Sequence, residues 1–258
     1  MSTSARSRLP TYERLLTIAA RGPWDPGTID LTADRERITD LPVGDRVRVR
    51  GLAAGFLVAE DAVAEHLVPF APAADDDPGR AACLRAQSRD EDVHAVATRR
   101  LWAAIGDDHD PLDLVPDAFR ALFLERLPAV AAGVADDLPL ADAVGLYHGL
   151  LEGVVFIAGQ DALLDLALEH ELPGTAETIR RIQKDERWHV SLGMRILCDL
   201  PDEDRVTAVL HATAPAAVAA WGDLVPAATA DAVLDALDRR LRILGMGPFT
   251  AAPAGPAR

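Results

Sequence analysis

Two Glu-x-x-His pairs occur in the sequence, Glu91 with His94 in DEDVHAVAT and Glu186 with His189 in DERWHVSLG. Residues three apart on an α-helix share a face, so each pair can aim a carboxylate and an imidazole at one point. Two more glutamates lie in strongly apolar surroundings, Glu60 in GFLVAEDAVAEHL and Glu152 in YHGLLEGVVFIAG. A buried carboxylate without a partner either stays protonated or destabilises the fold. Four such glutamates and two histidines suggest one shared partner, and two divalent metal ions would neutralise the four carboxylates. One Glu from each of two helices, with Glu-x-x-His from each of two others, is the ligand set of carboxylate-bridged dimetal bundles. Hard oxygen ligands with two imidazoles suit iron or manganese better than copper or a thiolate metal. Either pair alone is equally compatible with solvated glutamates and ordinary core histidines; the order of all six points to metal.

The elements that must position these residues are helical. Ala and Leu dominate, aromatics are scarce and strand-like runs are short, which favours an all-α protein. A short leading helix is expected at 11–21, ending at GPWDPG. Long helices follow at about 44–70 and 78–106, then segments at 116–134, 138–171 and 176–199, with Thr175 as N-cap of the last. Pro173 and Gly174 read as stop signals before it. Two more helices fill 202–223 and 227–243, giving four long helices inside a bundle of about eight. One domain over 1–245 is expected, with a disordered Ala/Gly/Pro-rich tail over 246–258.

The 258 residues, 49% hydrophobic, can bury a sizeable core. A net charge of −15 without any basic stripe argues against a nucleic-acid partner. The hydrophobic runs are interrupted by charges short of a membrane span, and MSTSARSRLP has no apolar core of a signal peptide. Cys83 and Cys198 are the only cysteines, too few for a disulfide framework. A soluble, cytoplasmic protein is the expectation.

The spacing Glu60, Glu91, His94, then Glu152, Glu186, His189 resembles the ribonucleotide reductase small-subunit family, with its ferritin-like helical bundle. KDERWH is similar to that family's Asp-Glu-x-x-His signature, and PWDPGTIDLTAD to its N-terminal Trp-containing segment, with Trp24 as the matching residue. The likeness spans roughly residues 20–200. The family's radical-carrying tyrosine normally lies four residues after the first histidine, where this chain has Thr98, and GMGPFTAAPAGPAR has no tyrosine to relay a radical. The ligand-binding oxidase branch is the nearer resemblance. There a valine three residues after the first glutamate becomes joined to a tyrosine five residues before the third-helix glutamate; Val63 and Tyr147 occupy those positions.

That resemblance implies a mixed manganese–iron centre, or two iron ions, with Glu60, Glu91 and His94 around the first metal. Glu152, Glu186 and His189 would hold the second, with Glu91 as a bridge. It also implies dioxygen as oxidant and a bound long-chain fatty acid; a homodimer formed through the helical faces is expected. Asp185 stands where the family's carboxylate orients a histidine. A di-iron oxygenase of a biosynthetic pathway, a reductase subunit and a metal- or fatty-acid-binding protein without turnover are the alternatives. His148 is expected to point away from Glu152, and Trp24 and Trp188 to be packing residues.

Overall fold

A computed structural model describes residues 9–243 apart from 137, 201 and 202. The tail expected at 246–258 lies outside the described residues. Among the described residues the architecture is helical, with no strand. In chain order the helices are α1 (Tyr12–Ala19), α2 (Thr32–Arg37), α3 (Val43–His66) and α4 (Pro78–Ile105). Next comes α5, built of Asp117–Arg120, a π-helical Ala121–Arg126 and Leu127–Ala135. It is followed by α6 (Leu140–Glu169), α7 (Pro173–Asp199), α8 (Glu203–Ala219) and α9 (Ala227–Ile243).

The core is a four-helix arrangement. Helix α3 packs on α4, α4 on α7, α7 on α6, and α6 back on α3. Helices α8 and α9 lean on the outer side of α6, and α1 and α2 close the side formed by α4 and α7. Helix α6 is therefore enclosed on all sides, which explains its apolar sequence. By length and composition alone it could cross a membrane, yet 89% of its most apolar window is buried inside the protein. It is the central helix of the core, Leu140–Glu169 against an expected 138–171, and its apolar window is longer than the charge-broken runs suggested.

The middle of α6 departs from α-helical geometry. Gly145–Phe156 is π-helical and every residue in it is buried. The i→i+5 hydrogen bonding of a π-helix widens the turn, and such segments concentrate at functional sites. The Trp221 indole, arriving from the end of α8, donates to the Val155 carbonyl at 2.7 Å. It fits because Gly159 faces it: a Cβ there would lie 2.4 Å from the indole.

Helix α7 starts earlier than the sequence suggested, and differently. Pro173 occupies its first turn, where a proline's missing N–H costs nothing. The cap comes from another element: fully buried Asp34 on α2 accepts from Gly174 N (2.9 Å), Thr175 N (2.6 Å) and the Thr175 hydroxyl (2.6 Å). Thr175 is thus a donor to the cap. Removing one acceptor for three buried donors costs about 2–3 kcal/mol. Asp34→Ala is expected to lower the denaturant midpoint accordingly without shifting the slope, with Asp34→Asn recovering part of it. An unchanged midpoint would show that the start of α7 is held by packing alone.

Candidate metal centre

Each core helix delivers acidic or imidazole side chains to one point. Glu60 comes from α3, Glu91 and His94 from α4, Glu152 from the π-helical part of α6, and Glu186 and His189 from α7. All six are buried: Glu186 is 3% exposed and the other five 0%. Ligand atoms of Glu60, Glu91 and His94 lie within 4.8 Å of one another, as do those of Glu91, Glu186 and His189. Glu91 belongs to both groups.

The contacts are symmetric. His94 Nδ1 lies 3.1 Å from Glu91 Oε2 and 3.9 Å from Glu60 Oε2. His189 Nδ1 lies 3.1 Å from Glu91 Oε1, 3.3 Å from Glu186 Oε2 and 3.5 Å from Glu152 Oε1. Both rings therefore turn Nδ1 inward and Nε2 outward. The outer nitrogens meet aspartates, and the pairing is crossed. His94 of α4 is 3.3 Å from Asp185 of α7, and His189 of α7 is 3.3 Å from Asp90 of α4. Each aspartate is held by an indole N–H, Trp24 to Asp185 at 2.7 Å and Trp188 to Asp90 at 3.1 Å. Carboxylates behind ligating imidazoles orient the ring and raise its basicity.

The six side chains pass a direct test of fit to a metal pair. Both oxygens of Glu60 and Oε2 of Glu152 are buried without any hydrogen-bond donor. Buried polar atoms are nearly always satisfied, and an ion is one explanation for those that are not. Burial pushes Glu60 well above the usual carboxylate range and Glu152 up to about 8, and raises Glu186. Burial works against a charged Glu91 as well, but His189 and His94 overcome it and hold Glu91 low. Burial likewise disfavours the imidazolium of His94 and His189, and the surrounding carboxylates override it, raising both. Excess negative charge is thus offset here only by protons, a role that divalent cations can take.

Several groups around the six escaped sequence reasoning. Gln87 on α4 donates to Glu152 Oε1 at 2.6 Å, and its carbonyl oxygen lies 2.9 Å from His148 Nε2. His148 does not contact Glu152, but it acts on it through Gln87. Burial, with the charge of His189 behind it, pushes His148 down to about 3, leaving a neutral ring. Gly193 makes room for that ring, since a Cβ there would fall 2.2 Å from the His148 Cβ. Gln160 reaches Glu186 at 3.4 Å. Asp90 could have been found, because it precedes Glu91 as Asp185 precedes Glu186, giving Asp-Glu-x-x-His twice. Gln87 and Gln160 carried no such signal. Asp185 orients His94 as the resemblance suggested, while Trp24 and Trp188 are more than packing residues.

Tyr147 is fully buried, and its hydroxyl donates to Glu91 Oε1 at 2.9 Å. Burial and the Glu152 and Glu91 carboxylates hold the phenol well above its ordinary pKa, and so protonated. Val63 lies one turn beyond Glu60 on α3 and is also fully buried. Thr98 ties its hydroxyl to the His94 carbonyl at 3.1 Å.

No family model matches the chain. Solved structures do. A single-site variant of an R2-like ligand-binding oxidase with an aerobically reconstituted Mn/Fe cofactor superposes with a TM-score of 0.80 at 20% identity. That match covers 91% of this chain and 93% of the other. An anaerobically reconstituted variant gives 0.80 at 21% identity over the same shares. Another aerobically reconstituted variant gives 0.74 at 20% identity, covering 92% of this chain and 85% of the other. What the chain shares with them is the all-α, ferritin-like fold of the R2-like ligand-binding oxidases.

Proposed function

We propose that the chain is a dimetal-carboxylate oxidase that uses dioxygen for two-electron oxidations. The observation that carries this is the meeting of six buried ligands from four helices, with Glu91 common to both halves and three carboxylate oxygens unsatisfied. Glu60, Glu91 and His94 would hold one metal and Glu152, Glu186 and His189 the other, with Glu91 available to both. Manganese and iron are the pair carried by the structurally similar oxidases; two irons would satisfy the same donors. Bound there, the metal pair supplies dioxygen binding and redox equivalents.

The chain's own residues do the rest. Asp185 and Asp90 fix the two imidazoles, and Gln87 holds Glu152 with its second oxygen free. Burial keeps bulk water out, which protects a strong oxidant from side reactions. Thr98 offers no phenol at the position where a reductase subunit keeps its radical tyrosine, so an oxidase fits better than radical delivery to a partner. An organic carboxylate ligand belongs to the same reading.

Tyr147 and Val63 are the internal reductant in this reading. The valine loses its Cβ hydrogen, the phenol loses its proton, and a Cβ–O ether bond forms between them. The two electrons released would go to dioxygen, and a reduced metal pair held by the six ligands would supply the other two needed to take it to water. The test is peptide mass mapping after loading with manganese and iron and exposure to air. The expected product is the Val63 peptide joined to the Tyr147 peptide with two hydrogens lost, absent under anaerobic loading and absent in Tyr147→Phe. Two metals bound per chain without that product would remove the crosslink and leave oxidation of an external substrate as the activity.

A further inference from the structure

Of the six candidate ligands only Glu186 has any surface, and its edge opens into a pocket of about 410 Å3 between α6, α7 and α9. The lining is mostly polar: Gln160 and Asp161 from α6, Gln183, Arg187 and Ser191 from α7, and Arg240 from α9. Ile157 and Val190 are its apolar members. Binding pockets of this size are usually lined by apolar residues with a few polar groups; here polar residues are in the majority, with their aliphatic stems supplying much of the surface.

Arg240 is the unusual member. It is half-buried, and burial pushes its guanidinium pKa down. Its Nη1 donates to the Gly153 carbonyl at 3.3 Å, beside Glu152. Among the described residues no carboxylate pairs with it. A desolvated guanidinium without a counter-ion is costly, and its planar fork matches a carboxylate. The acidic groups of the pocket are committed elsewhere. Asp161 accepts from Gln183 at 2.9 Å, and Glu186 belongs to the metal centre.

We propose that this pocket is where the centre meets its external substrate, and that the substrate is a compact carboxylic acid held by Arg240. The carbon to be oxidised would lie toward Glu186. This rests on the dimetal reading above, and it narrows the ligand class. Two apolar side chains give a long alkyl chain little wall to lie against, so a short polar acid fits better than a long-chain fatty acid.

Binding of hexanoate and of palmitate to the manganese–iron-loaded protein, measured anaerobically by calorimetry, tests the proposal. Hexanoate should bind the unaltered protein. Arg240→Ala should weaken it by about 10- to 100-fold, as expected for loss of a charge-assisted pair, with two metals still bound per chain. Arg240→Lys should recover part of the affinity. Hexanoate binding that is absent in the unaltered protein, or equal in Arg240→Ala, overturns the proposal, as does palmitate binding more tightly than hexanoate. Should Arg240→Ala fail to fold, Arg240→Gln keeps the packing and serves instead. Metal content distinguishes the two levels: no metal uptake sinks the dimetal reading, while the contrast between the unaltered protein and Arg240→Ala can still be read on the metal-free protein.

Discussion

Replacing Glu91 with alanine is expected to remove both metal ions from the protein. Glu91 places Oε2 3.1 Å from His94 and Oε1 3.1 Å from His189, so it alone faces both imidazoles at that range. Loss of an outer carboxylate behind a ligating histidine typically costs about 10- to 100-fold in metal affinity; loss of the shared ligand should exceed that for both ions. The measurement is metal content after loading and desalting. Two ions per chain should be found in the unaltered protein, and fewer than one in Glu91→Ala. Exposed Asp92, its neighbour on α4, provides the control, and Asp92→Ala should retain both ions. Circular dichroism would verify that α4 survives. Two ions retained in Glu91→Ala would mean that the halves of the centre are independent, and the bridging role would be lost.

The second large effect is on stability. With no metal bound, burial raises the pKa of Glu60, Glu152 and Glu186, and the carboxylates raise those of His94 and His189. Raised values mean that the folded chain binds more protons than the unfolded chain. For the glutamates this holds from about their unfolded value upward to the folded one, about 8 for Glu152. For the histidines it begins near their ordinary value and extends upward. Stability changes with pH in proportion to protons bound unfolded minus protons bound folded, so Glu60, Glu152 and the two histidines make the metal-free protein progressively less stable as pH rises from about 6.5 to 8. The depressed Glu91 acts in the opposite sense, but only in the acid range below its unfolded value. Metal ions displace the protons and remove the slope.

The gain in Tm on metal loading should therefore grow as pH rises from about 6.5 to 8. One net proton is worth about 1.4 kcal/mol per pH unit, so the gain should widen by roughly 4–8 °C over this interval for a chain of this size. Thermal melts at several pH values, with and without manganese and iron, check it. A gain that shrinks with pH would contradict the assignment of these groups as ligands that exchange protons for metal. Proton release on loading at neutral pH, followed with an indicator dye in weak buffer, should accompany the effect.

The two arguments depend on different kinds of information. The six candidate ligands were legible because the physics that groups them is local. A three-residue spacing puts Glu and His on one helical face whatever surrounds the helix, and a glutamate amid Leu, Val, Phe and Ile declares its burial. Helix extents were legible for the same reason: α4, expected over 78–106, is Pro78–Ile105, and the helix expected at 227–243 is Ala227–Ile243. Where an end depended on a partner distant in sequence, the reading slipped. The cap of α7 is Asp34, some 140 positions away, so the local Thr175 was the best candidate that sequence could offer. The short α2 that carries Asp34 was not anticipated at all.

The π-helical geometry of α6 shows the limit most clearly. Tyr147 and Glu152 are five apart, a spacing that an ordinary α-helix turns to different faces. The i→i+5 turn brings both toward Glu91, and it persists because α7, α8 and α9 enclose that stretch from three sides. The crossed histidine–aspartate pairs depend likewise on α4 and α7 packing side by side, and the pocket at Glu186 on α9 leaning across α6. By itself the sequence determined which side chains could hold a metal pair and which helices carry them, because those properties depend on residue type and helical period. Only the tertiary structure decided which carboxylate stands behind which imidazole, where the phenol points and which arginine faces the open edge of the centre. Those are distances between helices far apart along the chain, set by packing that no single segment encodes.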